Sequence, residues 1–93
     1  MDFDDAKMKM SAIHKLHTAR DSEGETIFYK KPYSARKITI ITYDKDESFE
    51  LNKVSMLSLD ECGLLIQYKS VNENKMYPFP LKIIDDIIIE SKI

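Results

Sequence analysis

His14 and His17 stand three positions apart, a spacing that on a helix brings two imidazoles within reach of one metal ion. Two ligands do not make a site, because zinc takes three or four protein donors, so the lone Cys62 would have to be carried in by the fold. The residues therefore predict no metal and no cofactor, with one histidine at the surface and the other packed where a helix meets the strands. Asp44, Asp46, Ser48 and Glu50 have the alternate oxygen spacing of a calcium loop. Phe49 stands where that loop needs glycine and Ser55 where it needs a bidentate glutamate, so a solvated hairpin turn is the better reading.

Asp60-Glu61 and Asp85-Asp86 are adjacent carboxylates. Neighbours along a strand point to opposite faces, so neither pair can share a proton as general acid and base. Cys62 lies between Glu61 and Gly63, and the neighbouring charge disfavours the thiolate that nucleophilic chemistry requires. Two glycines in the whole chain leave no material for a phosphate-cradling loop. No catalytic residue is predicted, no small-molecule substrate is implied, and the expectation is a protein that is not an enzyme.

One segment could contact a polyanion. Residues 28–37 hold four basic side chains, no acid and three aromatics. Tyr33 could stack on a base while Lys30, Lys31, Arg36 and Lys37 contact phosphates, as on barrels that bind single-stranded RNA or DNA. Four phosphate contacts would give a salt slope of about −3 on single strands. The plainer reading is a solvated loop between strands whose aromatics partly face the core, and the negative charge of the whole chain weighs toward it. A second candidate surface is the run Tyr77, Pro78, Phe79. Pro78 and Pro80 are two apart, so their missing amide hydrogens lie on one side of a strand and place it at a sheet edge. Aromatics on such an edge could anchor a protein partner or a second copy of the chain as a homodimer. The same prolines also serve to prevent unwanted strand pairing.

The elements that would position these residues follow from periodicity. Phe3, Ala6, Met10, Ile13, Leu16 and His17 recur at helical steps, predicting a helix over 3–20 within an N-terminal helical segment 1–22. Asp2, Asp4 and Asp5 suit its positive end. From Gly24 onward the pattern is strands: 26–31, 37–43, 64–69 and 75–81, separated by polar turns. Residues 49–59 change phase twice, which predicts bends near Asn52-Lys53 and Met56-Leu57. Five isoleucines within 83–89 favour a turn around 84–86 followed by a closing strand 87–90. No internal repeat is apparent.

The expected fold class is mainly β (α+β). One N-terminal helix precedes five or six short antiparallel strands over 25–93, bent enough to curl into a small barrel within a single domain, 1–93. In order of elements it resembles the small-barrel superfolds, SH3-like or Sm-like, a likeness that implies no function by itself.

Composition bounds the rest. Residues 1–37 carry eight Lys/Arg against six Asp/Glu, and residues 38–93 carry six against ten, for a net charge of −2. That is far from the single-sign field of a dedicated nucleic-acid binder. One cysteine makes no internal disulfide, and no apolar run approaches a membrane span, so the expected compartment is the cytoplasm. Small size and an isoleucine- and lysine-rich character suit an accessory protein of a bacterium or phage. The function expected is a small, non-catalytic binding or regulatory domain acting through protein–protein contact, with single-stranded RNA or DNA binding through 28–37 as the alternative.

Overall fold

Asp2 begins the first element in the way its position suggests. Its backbone is extended, and its carboxylate accepts a hydrogen bond from the Asp5 amide at 2.8 Å. Helix α1 (Phe3–Met10) follows, and a 3₁₀ turn (Ser11–Ile13) extends it, burying Ala6, Met10 and Ile13 completely. The computed structural model describes residues 1–13, 16–21, 24–29, 31–69 and 71–91, with side chains for all of these except 16–21 and 24–25.

The helix is shorter than its periodicity predicts. Leu16–Asp21 forms strand β1, paired antiparallel with β2 (Gly24–Tyr29) from Leu16↔Tyr29 to Asp21↔Gly24. A thin apolar stripe gives an isolated helix little tertiary support, whereas the hairpin supplies a ladder along the whole segment. Six more strands follow: β3 (Ala35–Thr42), β4 (Asp46–Glu50), β5 (Val54–Leu59), β6 (Gly63–Lys69), β7 (Asn74–Pro80) and β8 (Ile84–Ser91). The expected bend in 49–59 is a 3₁₀ turn, Leu51–Lys53, and the second irregularity is a register shift between Val54 and Met56. Toward the end of the chain the turn comes three residues earlier than expected, as the 3₁₀ turn Leu81–Ile83.

The fold is mainly β, with one N-terminal helix, but it is not the closed barrel expected. The strands form a 5-stranded sheet, β1-β2-β5-β6-β7, and a 3-stranded sheet, β4-β3-β8. Among the described residues no ladder joins the two. The chain passes between them three times, from β2 to β3 and, at two 3₁₀ turns, from β4 to β5 and from β7 to β8. Closure through β7 is opposed by its composition. Pro78 opposes Leu65 and Pro80 opposes Gly63, so the side of β7 away from β6 lacks two amide donors.

An internal repeat, missed in the sequence, emerges from burial and register. Phe49, Leu51, Val54, Leu57 and Leu59 correspond, thirty positions on, to Phe79, Leu81, Ile84, Ile87 and Ile89. Nine of these ten are buried, and Ile89 is partly buried against the same core. In the preceding hairpins Ile38 opposes Phe49, as Leu64 opposes Phe79. The third strand of each unit then pairs with the first strand of the other. Leu57↔Ile66 and Leu59↔Leu64 match Ile87↔Ile40 and Ile89↔Ile38, and each ladder slips at the same place, before Met56 and before Asp86. This reciprocal exchange is the topology of a two-fold. Residue identities conceal it, because within 49–59 and 79–89 only Phe49/Phe79 and Leu51/Leu81 are identical; the other core positions preserve only inward direction.

The core lies between the sheets. Ile38, Ile40, Leu57, Leu59, Leu64, Ile66 and Ile84 are essentially inaccessible, each contributing about 1.5–3 kcal/mol by burial. The two-fold breaks at the outer edges of the exchanged strands. β5 has β2 beside it, through Ile27↔Leu59 and Tyr29↔Leu57. Beside β8 lies α1. The Met1 amino group donates to Leu81 O (3.0 Å) and Ile84 O (3.1 Å), Lys9 pairs with Asp86 at 2.8 Å, and the Ser34 hydroxyl donates to Ala12 O at 2.7 Å. No helix is long and apolar enough to cross a membrane among the described residues.

Candidate binding cleft

The basic–aromatic segment forms part of β2, the loop to β3 and the start of β3. Its two tyrosines turn inward because flanking positions alternate into the core: Tyr29 and Tyr33 are buried, at 3% and 5% exposure, and Ala35 at 2%, while Phe28, on the opposite face of β2, stays half-exposed. Burial pushes the Tyr33 phenol above its ordinary pKa. Tyr33 therefore presents no ring face for a base to stack on. The peptide between Lys31 and Pro32 is cis.

Facing this loop is the 3₁₀ turn that carries the chain from β4 to β5. Between the two lies a cleft of about 770 Å³. Pro32, Ala35 and Leu51 give it an apolar floor, and Lys31, Arg36, Glu50 and Asn52 stand along its walls. Leu51 is buried because the turn folds it under the sheet, while Asn52 and Lys53 are left outside.

The charges around the cleft are unevenly matched. Arg36 Nη2 and Lys37 Nζ share one carboxylate, Glu90, at 3.1 and 3.4 Å. Glu50 is held by Lys53 at 3.3 Å. Lys31 is exposed and has no ion-pair partner among the described residues. Lys30 lies outside the described residues. Of the cations expected to act together, Lys31 and Arg36 line the cleft, whereas Lys37 stands beside it, half-buried against Glu90.

The second predicted surface is divided by the pleat. β7 is an edge strand, as its prolines suggest. Phe79 is buried and Tyr77 half-buried, with rings 6.0 and 5.0 Å from that of Phe49, edge to face. Of Tyr77, Pro78 and Phe79, only Pro78 faces solvent fully. Alternation along the strand sends both aromatics to the core side and leaves Met76, Pro78 and Pro80 outside.

Among the described residues the groups that could do chemistry are dispersed. His14 and the His17 side chain lie outside the described residues. Cys62 is exposed in the turn between β5 and β6, where Asp60 Oδ1 accepts from the amides of Cys62 (2.8 Å) and Gly63 (3.0 Å). Glycine is needed there because a Cβ on Gly63 would press on the Phe79 carbonyl across the ladder. Among the described residues no three His, Cys, Asp or Glu side chains gather where an ion could sit. Asp86 is held by Lys9 and by the Ile87 amide (2.8 Å), which lower its pKa in that order of importance.

Sequence reasoning found one wall of the cleft and missed the other. Residues 50–52 carried a signal for a bend but none for a site, because what matters is which loop the bend comes to face. No protein-family model, curated protein or solved structure matches this chain.

Proposed function

We propose that this chain is a small non-catalytic binding domain of the cytoplasm, acting through protein–protein contact at the cleft between residues 31–36 and 50–52. The observation that carries the reading is the shape and lining of that cleft. About 770 Å³ with an apolar floor of Pro32, Ala35 and Leu51 suits an inserted side chain. The polar groups along its walls suit the backbone and neighbouring side chains of a bound segment.

The competing reading, a binder of single-stranded RNA or DNA, draws on the same cations. It loses most of the stacking platform that sequence-tolerant nucleic-acid recognition uses, since Tyr29 and Tyr33 are committed to the core and only Phe28 is half-exposed. Self-association through β7 has less to recommend it, because Phe79 and much of Tyr77 are packed on Phe49.

Photo-crosslinking tests the proposal. A photoreactive side chain placed at Asn52, on the cleft wall, is expected to capture protein from native lysate. The same group at Asn72, in the exposed turn between β6 and β7, is expected to capture little. Equal capture at both positions, or nucleic acid as the main adduct, overturns the reading.

A further inference from the structure

We infer that the occupant of the cleft is an acidic protein segment carrying an apolar anchor residue, an inference that rests on the protein-binding reading and specifies its partner. The argument is one of charge balance over an apolar floor. At and beside the cleft, four cations (Lys31, Arg36, Lys37, Lys53) meet two carboxylates (Glu50, Glu90), leaving an excess of two positive charges. The chain as a whole carries −2, so this excess is a local departure in sign. Each carboxylate is already engaged, Glu50 by Lys53 and Glu90 by both Arg36 and Lys37. Of these four cations, Lys31 is the one without an ion-pair partner among the described residues, and it stands on the cleft wall. A carboxylate arriving there completes a pair and meets an Arg36 whose counter-ion is shared. The apolar floor sets the second requirement. A uniformly charged strand would leave Pro32, Ala35 and Leu51 facing an unsuitable neighbour, whereas one apolar side chain among acids fills the floor as its flanks meet the cations.

The test is a titration of the isotope-labelled protein, following its backbone amide resonances. Three probes are used: a short peptide with glutamates flanking one leucine, its counterpart with glutamine for every glutamate, and an oligothymidylate of equal length. The glutamate peptide is expected to shift amides within 31–36 and 50–52 and to bind more weakly as salt is raised. Lys31→Glu, an exposed substitution whose folding is checked by unchanged resonances elsewhere, is expected to weaken that binding about three-fold or more. Equal binding of the glutamine peptide at the same amides overturns the acidic preference and leaves the cleft as a protein-binding site. Tighter binding of the oligothymidylate, or peptide shifts confined to other faces, overturns both.

Discussion

Phe49 and Phe79 are equivalent residues of the two repeats, and their rings meet in the core with centroids 6.0 Å apart and planes at 78°. Each sits at the end of a hairpin, just before the 3₁₀ turn that sends its chain across to the other sheet. Two of the three places where the chain changes sheets are thus preceded by side chains that touch each other. Phe49 also meets Tyr68 at 5.5 Å and Tyr77 at 5.0 Å, so the aromatic cluster is centred on the first repeat's residue.

That asymmetry sets a stability prediction. Phe49→Ala is expected to cost about 3–5 kcal/mol, as for other buried aromatics. In a domain of this size that lowers the melting temperature by tens of degrees, at about 4–8 °C per kcal/mol. Phe49→Leu keeps most of the apolar volume and loses the edge-to-face contacts, each worth about 0.5–1.5 kcal/mol. Thermal and urea unfolding should therefore rank Phe49→Leu as more damaging than Phe79→Leu, whose ring meets that of Phe49 alone among the described residues.

The exchange of third strands predicts that damage crosses between repeats. Ile87 belongs to the second repeat but pairs opposite Ile40 of the first, and Leu57 belongs to the first but pairs opposite Ile66 of the second. Ile87→Ala should lower amide-exchange protection in β3 more than in β6 and β7. Leu57→Ala should do the reverse, reaching β2 as well through Tyr29↔Leu57. Native-state hydrogen exchange reads both. Loss of protection confined to each variant's own hairpin would contradict the assigned register.

A third expectation concerns acid. In the folded chain the pKa of Asp86 lies below its ordinary value, first through Lys9 and then through the Ile87 amide. The folded state therefore binds that proton less readily than the unfolded state. The contribution is complete above the unfolded value, about 4, and disappears as pH falls through the folded one. Asp86→Asn should flatten the melting temperature between neutral pH and about pH 2–3 relative to the parent chain. Because both partners are solvent-exposed, the effect should be small and should shrink with added salt.

What the sequence made legible was direction along strands. The alternation of Ile38, Thr39, Ile40 and of Leu64, Leu65, Ile66 reads as β and is β, with the first and third of each triplet inward. The proline pair read as an edge and is one. What was not legible depended on partners distant in the chain. Residues 16–21 carry a helical rhythm, and pairing with β2 overrides it. Tyr33 is polar enough to stand in a loop, and it is buried because Ala35 and its neighbours draw the loop under. The barrel failed to close for a reason visible in Pro78 and Pro80, read for its effect on neighbours but not for its effect on closure. Of the cleft, the cationic wall was legible and the Leu51 floor was not.

The same pairing pattern has a consequence during synthesis. β3 is flanked by β4, made at once, and by β8, whose Ile87 is translated 47 residues after Ile40. At about 5–20 residues per second, the smaller sheet waits several seconds with one side unclothed while the ribosome supplies its last member. A nascent chain stalled after β7 should present Ile38 and Ile40 to chaperones, and release of the final strand should withdraw them.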